Sequence, residues 1–242
     1  MTSVNTSRMQ VGGLELTINR KAIKNLHISV LPPDGAVRVS APAHLSDNAI
    51  RRAIVQRIPW IRQQQRSFAR QPRQSEREMV SGESHYFFGR RFRLEVIERR
   101  GRHEVRQSKS KLQLLVNPGT SQEGRLQVLD TWYRAELKSA IGELIPYWLD
   151  KIGLGECEWR IKRMKTMWGS CNATARRIWL NLELAQKPPE CLEYILVHEL
   201  VHLLERHHND RFKLLMDKYL PDWRERRELL NRSPLANASW RY

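Results

Sequence analysis

The 242-residue chain is 40% apolar and 28% charged, and no apolar run nears the ~18 residues of a spanning helix, which excludes a disordered or membrane-embedded class. Three cysteines with no CxxC pair exclude a disulfide framework and a cysteine-built zinc site; together with an N-terminus lacking the apolar stretch of a secretory signal, they predict a cytoplasmic protein. The formal charge of +16 at pH 7 favours polyanionic partners but does not choose among nucleic acid, phosphorylated small molecules and acidic polypeptides.

The N-terminal part alternates with the period of a strand. Leu14, Leu16 and Ile18 form one run, Leu26, Ile28 and Val30 a second, and Val37 and Val39 a third. Pro32-Pro33-Asp34-Gly35 is a turn signal between the last two, so a small antiparallel sheet is expected. Ser46 reads as an N-cap for a helix at about 46–70 carrying Ile50, Ile54, Ile58 and Ile61, which Pro59 should kink or interrupt. The polar stretch from Gln63 to Gly82 reads as a frayed helix end and a linker. Alternation resumes in Phe92, Leu94 and Val96 and in Leu112, Leu114 and Val116.

The period then changes to that of a helix. Leu129, Trp132, Tyr133, Leu137, Ile141, Leu144, Ile145 and Trp148 mark one long amphipathic helix. Short strands are expected at Trp159–Lys162 and Ile178–Leu180, and Pro188-Pro189 opens a further helix. Asn209 or Asp210 caps another, with Phe212, Leu215, Met216 and Tyr219 on one face, and a last charged helix follows Pro221. No internal repeat is visible. The expected fold is α+β: a β-rich region over residues 1–122 and a mainly helical region over 123–242 that holds the active-site helix.

Val197-His198-Glu199-Leu200-Val201-His202 carries the chemistry. His198 and His202, at i and i+4 on a helix, project from one face and can grip one metal ion. Glu199 lies one step round, within reach of an attacking water as general base. The neighbours Val197, Leu200, Val201, Leu203 and Leu204 are apolar, so the helix is buried, and a buried carboxylate without a partner is costly. Zinc needs a third protein ligand. After Glu205-Arg206 the chain can turn back and bring His208, or its neighbour His207, to the metal; His208 is preferred. Asp217, Glu228 and Cys171 are weaker candidates.

The run Lys165-Thr166-Met167-Trp168-Gly169-Ser170-Cys171, then Ile178-Trp179-Leu180-Asn181, the HExxH segment, His208 and Phe212, and Pro221-Asp222 resembles the YgjP-like family of metal-dependent hydrolases, relatives of the SprT-like and WLM metallopeptidases. The resemblance implies a zincin-like C-terminal domain with Zn2+ on His198, His202 and His208, and Glu199 as base. His207 departs from the asparagine that often precedes the third histidine in that family. Glu205 stands where metzincins have a glycine, so that relation is not supported.

Beside the motif, Ile178, Leu180, Asn181 and Lys165 are candidate substrate contacts, if the 178–181 strand lies at the cleft edge and docks an extended peptide. Arg160, Lys162, Arg163, Lys165, Arg176 and Arg177 could form an anion-attracting rim. A zinc metallopeptidase acting on polypeptides is the leading reading. The alternatives are a nucleotide or phosphoester hydrolase of the nucleoside triphosphate pyrophosphatase type, and a nucleic-acid-associated protein with a structural metal.

Overall fold

A computed structural model describes residues 5–31, 35–70, 77–164 and 167–232, the side chains of residue 5 and residues 67–70 excepted. Strands β1 (Asn5–Val11), β2 (Leu14–Lys21), β3 (His27–Leu31) and β4 (Ala36–Pro42) pair in the order β1-β2-β4-β3, and helix α1 (Asp47–Arg70) follows. The alternating residues do what their period demands: Leu16, Ile18, Val37 and Val39 turn to one side and meet Ile50, Ile54 and Ile61 of α1 in a closed apolar core. The expected antiparallel sheet is mixed instead. Strand β3 takes one edge of β4, and β2 takes the other in parallel, Leu16 opposite Val37. Strand β1, unassigned from sequence because its residues are mostly polar, pairs antiparallel with β2. Ser46 caps α1 as expected, its Oγ accepting from Ala49 N at 3.3 Å. Pro59 lies inside one continuous helix rather than interrupting it. The expected Pro32–Asp34 turn and the centre of the linker fall outside the described residues.

Strands β5 (Ser84–Phe87), β6 (Arg90–Glu98), β7 (Glu104–Gln107) and β8 (Lys111–Val116) pair in the order β5-β6-β8-β7, and helix α2 (Gln122–Ile152) follows. This is the first arrangement repeated. In each sheet the first hairpin is antiparallel, its second strand runs parallel to the fourth, and the third pairs antiparallel with the fourth. Both first hairpins close over two residues with positive φ, Gly12-Gly13 and Phe88-Gly89. The chain therefore contains a structural duplication where the sequence shows no repeat: the copies share a pairing scheme, which many alternating sequences satisfy, and not a string of residues.

Beyond α2, strands β9 (Glu158–Lys162), β10 (Gly169–Asn172) and β11 (Arg177–Asn181) form a third sheet in the order β10-β11-β9. A 3₁₀ turn at Leu182–Gln186 leads into α3 (Pro189–Val201), α4 (Asp210–Tyr219) and α5 (Trp223–Arg232). Separate small sheets and a helical C-terminal part make the fold α+β, as the change of period predicts. Phe92, Leu94, Leu112 and Leu114 of the second sheet share one core with Leu129, Tyr133 and Leu137 of α2 and with Leu196 and Leu200 of α3. The compact units therefore divide after Arg73 and not at 122/123. The second sheet needs α2 to cover its apolar face, so a boundary between them would expose both. Among the described residues no helix is long and apolar enough to cross a membrane.

The Phe88-Gly89 turn fastens this sheet to the start of α3. Phe88 N donates to Ala185 O at 2.8 Å. Gly89 has φ +75°, and a Cβ there would stand 2.9–3.1 Å from Pro188, two of the three contacts being backbone atoms. Gly89→Ala is expected to cost about 1–3 kcal/mol, from left-handed strain and overpacking together. Urea or thermal denaturation measures it; a loss under a few tenths of a kcal/mol would mean that the turn moves freely off Pro188.

Candidate metal centre

Helix α3 starts at Pro188-Pro189 and is buried over Cys191, Leu192, Tyr194–Val197 and Glu199–Val201. A helix apolar on nearly every face belongs in a core. His198 lies in its last turn and His202 is its C-cap residue. The chain then tightens: Leu203 N donates to Leu200 O at 3.0 Å, and Leu204 N and Glu205 N both donate to Val201 O at 2.9 Å. Glu205 Oε1 accepts from His207 N at 3.0 Å, and Asn209 Oδ1 caps α4 by accepting from Phe212 N at 2.9 Å. These bonds return His208 to the helix face that bears His198 and His202.

The three side chains converge. His208 Nε2 lies 3.0 Å from His202 Nε2 and 3.0 Å from His198 Nε2. Phe212 packs against all three rings, with centroids 4.9, 4.7 and 4.8 Å from His198, His202 and His208. Burial lowers the proton affinity of each, His198 to about 3, with the neighbouring imidazoles adding to the effect. The rings are therefore neutral near pH 7. His202 Nδ1 sits 3.0 Å from Glu205 O, which fixes the tautomer with the proton on Nδ1 and the lone pair on Nε2. A proton on His208 Nε2 could serve only one of its two close neighbours. A cation accepts lone pairs from all three, and ligand nitrogens around tetrahedral zinc stand about 3.3 Å apart. The donor set fits a metal ion. His207 is exposed and outside the cluster. Asp217 is held by Trp223 and Arg224, and Glu228 by Arg232. Burial and nearby Glu199 push the Cys171 thiol up to about 12, so it stays a neutral thiol.

Glu199 is 4% exposed, and burial pushes its carboxyl up to about 8. With the three histidines it lines a cavity of about 750 Å³, walled on the other side by Met167 to Thr174 and closed by Tyr194, Arg206, Arg227 and Leu230. Strand β10 passes hard against it: a Cβ on Gly169 would stand 2.5 Å from Glu199 Oε1 and 2.7 Å from its Cγ. The glycine of the Trp168-Gly169-Ser170-Cys171 run thus lets backbone reach the carboxyl.

The sequence model of the YgjP-like metallopeptidase domain matches residues 24–233, most of the chain. The chain belongs to the YgjP-like metallopeptidase-domain family. The family is one of peptidases, which implies polypeptide substrates, and in this member His198, His202 and His208 form a cluster that could hold a metal ion. Among solved structures, 38% of the chain is similar to the metallopeptidase zymogen abylysin of Pyrococcus abyssi, over 90% of that chain, at 25% identity and a TM-score of 0.35. Jannalysin of Methanocaldococcus jannaschii, also a metallopeptidase zymogen, is similar over 37% of this chain and 92% of its own, at 23% identity and a TM-score of 0.34. No curated protein sequence matches.

The structure also places most of the other residues expected at this YgjP-like site. Ile178 and Leu180 are fully buried, and β11 is the middle strand of its sheet, not an edge. Its backbone is already paired on both sides, so it has nothing to offer a substrate. Asn181 is buried and holds Met164 and Met167: its Nδ2 donates to Met164 O and Met167 O at 2.9 Å, and its Oδ1 accepts from Glu183 N at 3.2 Å. Lys165 lies outside the described residues. The expected basic rim is engaged elsewhere. Arg160 and Arg177 pair with Glu158, Arg163 with Glu183 and Asp130, Arg176 donates to Glu156 O and Gly155 O, and Lys162 lies over Trp179. The guanidiniums that line the cavity are Arg206 and Arg227.

Two outcomes follow from this geometry. His208→Ala should reduce bound metal from about one ion per chain to near none, whereas His207→Ala should keep it; elemental analysis of protein dialysed against metal-free buffer reads both, and the reverse pattern would refute the assignment. Gly169→Ala should retain metal yet lower peptidase kcat/KM about 10²-fold, because displacing Glu199 by roughly 1 Å costs that much. Unchanged kcat/KM would show that Glu199 can step aside without consequence.

Proposed function

We propose that residues 74–237 form a zinc-dependent peptidase unit in which His198, His202 and His208 hold Zn2+ and Glu199 is the general base. The observation that carries the reading is Glu199 itself: a buried carboxyl with no basic partner among the described residues, facing the cavity that the three imidazoles enter. A structural metal site has no use for such a group. Zinc suits three neutral imidazoles with one position left open, and when bound it supplies Lewis acidity to the scissile carbonyl and to water. A nearby cation also favours the charged form of Glu199, so cation binding and loss of the carboxyl proton reinforce each other.

The chain's own residues divide the work. Glu199 Oε1 takes the proton of the attacking water and can return it to the leaving amine. Strand β10 pairs only with β11 among the described residues, and its other edge runs along the cavity. An extended polypeptide can add to that edge through main-chain hydrogen bonds, which gives β10 the role expected of 178–181. Tyr194 stacks on Trp223 and meets the His198 ring edge-on, fixing the imidazole from the side away from His202.

Glu199→Gln preserves shape and hydrogen bonding but cannot accept the proton. It should lower the hydrolysis of casein-derived peptides by about 10²–10⁴-fold, with zinc content and thermal unfolding unchanged. Hydrolysis near the wild-type rate in that variant would remove Glu199 from the mechanism.

A further inference from the structure

Helix α5 is the element of the cavity wall least explained by a metal site. Trp223, Arg227 and Leu230 stand at i, i+4 and i+7, so they share one face. Trp223 is buried and stacks on Tyr194 with ring centroids 6.3 Å apart and an interplanar angle of 12°; Leu230 is buried as well. Arg227 lies between them on the side of α5 that lines the cavity, and is itself exposed to solvent there. The helix is fixed in this rotation. Arg226 pairs with Glu193 of α3 and with Asp222, and Trp223 Nε1 donates to Asp217 Oδ1 at 2.7 Å.

The other arginines of α5 are neutralised: Arg224 by Asp217, Arg226 by Glu193 and Asp222, Arg232 by Glu228. Among the described residues Arg227 has no ion pair or hydrogen bond, and neither has Arg206, the second guanidinium of the cavity. Among the described residues the one carboxyl that lines the cavity is Glu199, which packs against Gly169. Arg227 is near enough for its charge to act on Tyr194, His198 and His208. An unneutralised cation beside two of the histidines that would hold a metal cation is electrostatically unfavourable. Its place there is accounted for when an anion enters the cavity with the substrate.

We propose that Arg227, with Arg206 lining the same cavity, is the subsite for a carboxylate of the polypeptide substrate, and that it sets the specificity of the cleft for acidic or carboxyl-terminal segments. The inference rests on the peptidase reading above and gives it a substrate class. A guanidinium binds a carboxylate by two parallel N–H···O bonds, a geometry that lysine does not offer. Polypeptides present carboxylates from two sources, the side chains of Asp and Glu and the chain terminus.

The test uses metal-loaded protein and four hexapeptide pools, with Glu or Gln at one fixed position and a free or amidated C-terminus. Arg227→Gln should lower kcat/KM on carboxylate-bearing pools about 10–100-fold, through KM, and leave the neutral amidated pool little changed. Arg227→Lys should restore only part of the loss. A loss confined to the Glu pools assigns the side chain, and a loss abolished by amidation assigns the terminus; either supports the subsite. Equal loss on charged and neutral pools, or none, overturns it. Binding is measured separately, by anisotropy of fluorescein-labelled pools on Glu199→Gln protein with and without Arg227→Gln. Arg227-dependent peptide binding without hydrolysis by the wild type would sink the peptidase reading and keep the subsite. Arg227-dependent binding of a nucleoside triphosphate tighter than of any pool, or no Arg227-dependent binding, overturns the carboxylate assignment.

Discussion

A helix as apolar as α3 can carry a carboxyl and two imidazoles only if their burial is compensated, and most of the C-terminal architecture follows from that constraint. Desolvation makes the charged forms of His198, His202 and His208 unfavourable, and likewise the charged form of Glu199. Neutral imidazoles converge as lone-pair donors, and a buried carboxyl becomes a base when positive charge arrives. The same burial therefore shapes both halves of the centre. The Glu205 bonds, the Asn209 cap and the Phe212 ring return the third histidine to the first two without leaving the turn beyond α3 unsatisfied.

The wall opposite α3 is held by a second set of buried polar groups. Asn181 ties Met164 and Met167 to the start of the 3₁₀ turn. Glu183 is buried and accepts from the exposed Arg163 and from buried Gln186, Gln186 accepts from Arg77, and Arg77 reaches His85, which burial holds down to about 3. Lys187, also buried, stands over the Trp168 ring at 5.4 Å. Such a network specifies one arrangement because each member leaves another unpaired if it moves. It anchors Trp168, the residue just before Gly169, and so fixes how closely β10 approaches Glu199.

Features set by period or by local chemistry were legible in the sequence. The α2 stripe from Leu129 to Trp148, the Pro188-Pro189 start of α3 and the HExxH register with a returning His208 all depend on residues close in the chain. Features set by pairing across the chain were not. The duplicated sheet leaves no trace because alternation is satisfied by many residues. Strand β10 is Gly-Ser-Cys-Asn, with no β-branched residue to announce it. Reading 178–181 as the edge failed for the same reason: its apolar alternation marked a strand but could not say that both sides were paired. Arg227 did carry a signal, a basic residue on the stripe shared by Trp223 and Leu230, but its meaning depends on what α5 packs against.

The position of α3 is finally a matter of two backbone approaches, one near each end. At its start, Gly89 brings the β5–β6 turn against Pro188; at its functional end, Gly169 brings β10 against Glu199. Neither contact leaves room for a Cβ, so the helix is gripped by main chain from two different sheets. Backbone is the stiffer partner in such contacts, since it moves only with the strand that contains it, whereas a side chain can change rotamer. A base that must stay within hydrogen-bond reach of one water is better set by a strand than by neighbouring side chains. The two glycines thus belong to a single device: the first sets where α3 begins, the second where its carboxyl points, and the intervening apolar turns transmit one to the other as a rigid rod.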